Sequence, residues 1–262
     1  MRRLKEILVL LLLLLLAMPM ENFAQSAGGQ ISRKPKTAVK KESPAKKKTP
    51  SKSTAKKPAA KKAVRSSKPI PEGAVDLGLP SGTLWADRNI GASSPEGYGD
   101  YFAWGETRPK SVYDWSTYKY CKGSGTTLTK YCTDSSNGKV DNKTVLEAVD
   151  DAATANWGKS WRMPTHTEQK ELIEKCKWSW TTRNGIKGYK VTGPNGNSIF
   201  LPAAGYRYDG SVSNVGSFGY YWSASLNESD PSGAWYMYFD SGYHGSYGSY
   251  RYYGRTVRAV AR

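Results

Sequence analysis

Seven tyrosines, three serines and three glycines fall within the eighteen residues from Tyr236 to Tyr253. Phenol side chains at this density suit contact rather than bond breaking. Each offers a wide, rigid, amphipathic surface with few rotors to freeze, and Ser and Gly let the backbone adapt around it, as in antibody binding loops. The same composition also suits a Tyr-rich face of an antiparallel sheet with hydroxyls at its rim. Glycine at 242, 245 and 248 interrupts strand regularity where the tyrosines are densest, which points to an exposed loop from Ser241 to Ser249. The expected displayed face comprises Tyr236, Tyr238, Tyr243 and Tyr247, with Tyr250 and Tyr252 beyond them. His244 is expected to reach a ligand from the loop, and Asp240 and Arg251 to offer charge.

Other chemistries find less support. The two histidines, His166 and His244, have no metal-ligand spacing, and no Cys-x-x-Cys occurs, so no zinc site is expected. Neither a Gly-x-Ser-x-Gly elbow nor a phosphate-cradling Gly-x(4)-Gly-Lys loop is present. Asp141, Glu147, Asp150 and Asp151 cluster near a short helix, where acids commonly form a solvated face or favour the helix N-terminus. Oxygen ligands from Asp134, Asp141, Asn142 or Asp150 offer Ca²⁺ as the alternative cofactor, without EF-hand spacing. A polysaccharide-acting enzyme would need Asp100, Glu106, Asp141 or Asp151 to converge in a groove. Of the nine tryptophans, Trp104 and Trp180 are the best placed for sugar stacking; the rest read as core, and His166 as solvated.

Positioning such residues requires a scaffold, and turn signals recur every few residues, as at Asn137-Gly138, Gly193-Pro194-Asn195-Gly196 and Asp209-Gly210. A helix is predicted from Thr165, which can cap it while Glu168 returns the bond, with Gln169, Leu172, Ile173 and Cys176 on one face. A second, shorter helix is predicted over 145–155, with Val149, Ala152 and Ala153 inward. Tyr189–Thr192 and Ser198–Leu201 should pair as a hairpin, and 220–225, 235–240 and 256–261 read as strands. On the strand at 235, alternation turns Trp235, Met237 and Phe239 inward and displays Tyr236 and Tyr238.

The N-terminus reads as a signal peptide over 1–26: Arg2, Arg3 and Lys5 precede a fourteen-residue apolar run from Ile7 to Met20, short of the about 20 residues that span a bilayer. Export without a membrane span follows. Residues 27–70 carry fifteen Lys or Arg against Glu42 alone, a balance of +14 out of the chain's +17, with no apolar periodicity. Such a segment is expected to be a disordered basic linker. Its partners would be anionic polymers of a cell surface, and nucleic acid is disfavoured by export. Residues 71–262 can bury one core and form a single globular domain. Cys121 and Cys132 could close a short loop by a disulfide, leaving Cys176 as a free thiol.

The segments VDLGLPSGTLWADRNIGA (75–92), YFAWGET (101–107), DAATANWGKSWRMPT (151–165), GPNGNSIFLPAAGYR (193–207), YYWSAS (220–225) and RTVRAV (255–260) resemble the Fibrobacter succinogenes major paralogous domain. More distantly, Arg162-Met163-Pro164-Thr165 before a helix, Tyr221-Trp222-Ser223 and the closing Arg-x-Val-Arg are similar to landmarks of the C-type-lectin-like fold. The formylglycine-generating-enzyme branch and retroelement-diversified binding proteins share those landmarks. The resemblance implies an α+β fold: two short helices around a small twisted antiparallel sheet, with the ligand face in the segment before the last strand. One departure is Gln169, polar where related sequences tend to carry an aromatic, which implies a looser first helical turn. The expectation is a secreted, non-enzymatic recognition module for a surface protein or glycan. Its rival is an envelope-associated structural protein held to polyanions by the basic tail.

Overall fold

The computed structural model describes residues 70–261. The signal peptide and all of the basic linker except Ile70 therefore lie outside the described residues. The strands are β1 (Ala74–Asp76), β2 (Leu84–Ala86), β3 (Lys177–Arg183), β4 (Ile186–Thr192), β5 (Ser198–Pro202) and β6 (Tyr206–Tyr208). They continue with β7 (Ser211–Ser213), β8 (Gly219–Leu226), β9 (Gly233–Phe239), β10 (His244–Tyr250) and β11 (Val260–Ala261). The helices are α1 (Ala152–Trp157) and α2 (His166–Lys175), preceded by a 3-10 turn at Ala148–Asp150. Strands pair in four small antiparallel sheets ordered β1-β2-β11, β3-β4-β5, β6-β7 and β10-β9-β8. The molecule is thus α+β, with much irregular chain between its elements. No helix among the described residues is long and apolar enough to cross a membrane.

Local sequence accounts for the two elements that matter most to the tyrosines. At α2 the Thr165 hydroxyl accepts from the Glu168 N–H at 3.2 Å, and the Glu168 carboxylate accepts from the Thr165 N–H at 2.9 Å. That reciprocal pair satisfies two otherwise orphaned donors. The same carboxylate is clamped by Arg162 at 2.6 Å and by the Thr83 hydroxyl at 2.9 Å. Burial works to raise its pKa, yet the guanidinium and the N–H donors together hold it down, to about 2. Gln169 does not loosen the helix start: it is buried, and its amide donates to the Tyr221 carbonyl at 2.9 Å, tying α2 to β8. The hairpin predicted around Gly193-Pro194-Asn195-Gly196 is β4–β5, with Tyr189 opposite Leu201 and Val191 opposite Ile199.

The short helix differs from expectation. Ala152 and Ala153 are buried, but Val149 is 74 % exposed, because the 3-10 turn rotates Asp150 inward instead. Asp150 accepts from the Tyr131 hydroxyl at 2.7 Å, from Lys130 at 2.5 Å and from the Tyr120 hydroxyl. Of the strand expected over 256–261 only Val260 and Ala261 are regular. The residues before them turn arginines into the interior. Arg258 is fully buried and donates to the Asn89 side chain at 2.8 Å and to the Ala86 and Phe200 carbonyls at 3.1 and 2.8 Å. It pins the chain end to β2 and β5 at once, and desolvation lowers its pKa to about 10.

The three thiols stay separate. Cys121 donates to the Trp115 carbonyl at 3.1 Å and Cys132 to the Asp134 carbonyl at 3.0 Å, and all three cysteines are free.

Candidate functional site: a tyrosine face on the C-terminal sheet

Strand β9 divides its side chains between two environments, as period-two alternation requires. Met237 and Phe239 are fully buried, the latter stacked on Tyr221 and edge-on to Tyr189. Trp235 is only half-buried. Tyr236 and Tyr238 point to the other face, where Tyr238 lies opposite Tyr220 of β8 and Tyr236 opposite Tyr247 of β10. Cross-strand pairs of this kind are the unit by which a sheet stabilises its surface.

The segment expected to be a loop is a strand. Seven residues of β10 pair with β9, from His244 opposite Phe239 to Tyr250 opposite Gly233. Gly245 serves a tyrosine rather than the turn. A Cβ on Gly245 would stand 2.5 Å from the Tyr243 hydroxyl oxygen, so the Tyr243 ring lies across the strand where a side chain is missing. A Cβ on Gly248 would meet the Asn227 amide at 2.6 Å. Only the connection between β9 and β10 is a turn. There Asp240 accepts from the Gly242 and Tyr243 N–H groups at 2.8 and 2.9 Å and from the Tyr238 hydroxyl at 2.9 Å. Its charge therefore organises the turn.

From this hairpin a line of rings runs across the molecule. Tyr243, Tyr247, Tyr236, Tyr220, Tyr206, Tyr253, Tyr252, Tyr250 and Trp115 follow one another with centroids 4.6–6.4 Å apart. Tyr243, Tyr247, Tyr250 and the adjoining Tyr208 are 41–49 % exposed, and Tyr206, Tyr220, Tyr236 and Tyr253 are half-buried. At the hairpin end the Tyr247 hydroxyl donates to the Tyr243 hydroxyl at 3.0 Å. That hydrogen bond, with burial second, raises the Tyr247 pKa to about 12.

Three of the expected site residues are elsewhere. Arg251 is fully buried, donating to the Lys130 and Tyr131 carbonyls at 3.2 and 2.9 Å and lying against Trp104 and Tyr118, so it offers no surface charge. Tyr252 is 7 % exposed and acts as a packed link between its neighbours. His244 shares the face of Phe239, not of the tyrosines, and stacks on Trp178 at 4.6 Å. His166, expected in solvent, stacks on Trp235 at 4.1 Å. Burial lowers the pKa of both histidines, with Lys170 adding to the effect at His166.

Sequence reasoning missed Arg255, which is buried beneath the face with its carbon centre 3.5 Å from the Tyr236 ring and 4.6 Å from that of Trp222. Its Nε and Nη1 groups have no hydrogen-bond partner, and desolvation lowers its pKa. Rings on several sides supply the compensation that a carboxylate would ordinarily give. The closing Arg-x-Val-Arg marks Arg255 as part of a resemblance, but nothing in it tells that this arginine is buried under rings. Tyr206 and Tyr208 had a signal, since both precede the Asp209-Gly210 turn in alternation.

The remaining chemistry is engaged internally. Trp104, considered as a sugar platform, is fully buried with its indole N–H on the Ser223 carbonyl at 2.8 Å, and half-buried Trp180 packs on Tyr189. Asp141 accepts from the N–H groups of Tyr131, Cys132 and Lys143, and Glu106 from Lys110. Asp151 accepts from the Thr154 N–H at the start of α1 and from the Met163 N–H. It also lines a cleft of about 940 Å³ with Trp161 and Arg162. Among the described residues no group of three or more His, Cys, Asp or Glu side chains converges as a metal site.

A family model described as the Lcl C-terminal domain matches residues 103–261, a span that takes in the whole line of rings. No curated protein and no solved structure matches the chain.

Proposed function

Because the chain belongs to the Lcl C-terminal domain family, we propose that it is a non-enzymatic recognition module whose ligand face is the tyrosine surface of β8–β10. The observation that carries this reading is the continuity of the rings: phenols from separate segments meet in one partly exposed patch. Phenols supply contact area, hydroxyls fix orientation, and little rotamer entropy is lost on binding. The ligand is a surface protein or glycan, and no cofactor is required. The finer kinship, with the Fibrobacter major paralogous domain and the C-type-lectin-like fold, agrees with the α+β architecture and with a ligand face just before the last strand. Export by the N-terminal signal and a basic stalk over 27–70 would hold the module away from the cell.

The test is a binding screen of the full chain against host and bacterial surface glycans and proteins, alongside Tyr243→Ala and Tyr247→Ala. Truncating such anchors costs about 1–2 kcal/mol or more each, so at least about a fivefold loss is expected. Unchanged affinity in both variants would remove this face from consideration. A second reading rests on the +14 charge of the tail: an envelope-associated structural protein bound to polyanions through residues 27–70. Deletion of 28–69 separates the two, because the recognition module keeps its ligand and the tethered protein loses its hold.

A further inference from the structure

The hairpin end of the tyrosine face holds two exposed phenols in direct hydroxyl-to-hydroxyl contact. Tyr243 and Tyr247 are 48 % and 41 % exposed, their hydroxyls are hydrogen-bonded at 3.0 Å, and their ring centroids lie 6.4 Å apart. We propose that Tyr243 and Tyr247 are a site of intrachain oxidative cross-linking, joined ring to ring at the carbons beside their hydroxyls by a one-electron phenol oxidant such as a haem peroxidase with hydrogen peroxide. This inference goes beyond the recognition function and does not depend on it.

The chemistry balances. Each phenol loses one electron and its hydroxyl proton, giving two phenoxyl radicals whose unpaired spin resides partly on the ortho carbons. Those carbons join, and the hydrogen that each carried moves to oxygen as the rings regain aromaticity. The pair ends two hydrogens lighter with both hydroxyls restored, and one hydrogen peroxide becomes two waters.

The geometry favours this pair over its neighbours. The proton of Tyr247 already points at the Tyr243 oxygen, and Tyr243 is open enough to pass its own proton to solvent. Tyr243 sits in the turn between β9 and β10, with Gly242 before it and the side-chain-free Gly245 beneath its ring. Glycines leave that ring room to swing towards Tyr247. Tyr238, also in ring contact with Tyr247, has its hydroxyl committed to Asp240. Tyr250 is equally exposed, but its ring neighbour Tyr252 is buried.

The experiment treats the folded full chain with catalytic horseradish peroxidase and limiting hydrogen peroxide, then reads dityrosine fluorescence and the tryptic peptide 208–251. Expected is a peptide two hydrogens lighter that yields no backbone fragments between 243 and 247. Tyr243→Phe and Tyr247→Phe keep the rings and should each cut the fluorescence at least tenfold, whereas Tyr250→Phe should leave it unchanged. Absence of coupling, a link at Tyr250 or Tyr252, or coupling only between copies, seen as a dimer on a denaturing gel, would overturn the proposal. Because the peroxidase acts without any ligand, either result leaves the recognition reading to its own test.

Discussion

The substitution Gly245→Ala separates the tyrosine face from the stability of the sheet beneath it. Gly245 has ordinary extended backbone within β10, so alanine is allowed there. Replacing a strand glycine relieves an entropic penalty of about 0.5–1 kcal/mol. Against this, the new methyl carbon would lie 2.5 Å from the Tyr243 oxygen and 3.0 Å from Cε1 and Cζ, all atoms at the far end of a side chain that can rotate away. Moving that ring gives up one hydroxyl–hydroxyl bond, net about 0.5–1.5 kcal/mol, and partly exposed ring contacts at the lower end of about 0.5–1.5 kcal/mol. The terms oppose each other, and the net loss should stay within about 1.5 kcal/mol, a shift of at most roughly 3–6 °C in Tm for a domain of this size. The effect on the face is not small, because Tyr243 leaves the line of rings. Binding to whatever ligand the screen returns should fall as far as in Tyr243→Ala, and peroxidase coupling should fall with it. Urea unfolding and titration of the same samples decide the matter. A loss of more than about 3 kcal/mol would mean that Gly245 is required by the strand itself, and full binding by Gly245→Ala beside weakened Tyr243→Ala would refute the cradle.

Three further outcomes can be measured on the folded chain. Glu168 has its pKa depressed from 4.5 to about 2, so its contribution, about 3 kcal/mol at about 1.4 kcal/mol per unit, is present above pH 4.5. It should be lost as pH falls from 4.5 to 2; in Glu168→Gln the acid-induced loss over that window should be correspondingly smaller in urea titrations. Arg258→Met strands three buried acceptors at about 1–3 kcal/mol each, and a fall in Tm of at least about 6 °C is expected by calorimetry; an unchanged Tm would deny Arg258 its pinning role. Deletion of 28–69 removes all fifteen basic residues of the linker, so retention on heparin should fall sharply and lose most of its salt dependence, a result that chromatography at two ionic strengths would check.

What the sequence revealed and concealed follows from the range of the forces involved. The Thr165 cap, the β4–β5 hairpin and the alternation of β9 are local: each is set by residues within a few positions, and each is found where expected. Strand β10 was hidden because its glycines are poor strand formers in isolation and make sense only once the Tyr243 ring is seen lying over one of them. The buried arginines were hidden for a different reason. Arginine is ordinarily a surface residue, and Arg251, Arg255 and Arg258 are drawn inward by carbonyls and rings contributed from 58 to 172 positions away for Arg251 and Arg258, and from 2 to 35 positions away for Arg255. Of the expected face, Tyr236, Tyr238, Tyr243 and Tyr247 do come together, since strand pairing brings phenols from both arms of one hairpin to the same side.

The line of rings draws on β6, β8, β9, β10 and the stretch after it. Such a surface is a conformational epitope. A synthetic peptide covering 236–253 would carry seven of the phenols and none of their arrangement, because Tyr206 and Tyr220 arrive from other parts of the chain and Arg255 underlies the centre. A ligand of this patch, as proposed, would read the assembled tertiary structure, so binding should vanish in step with global unfolding and return on refolding.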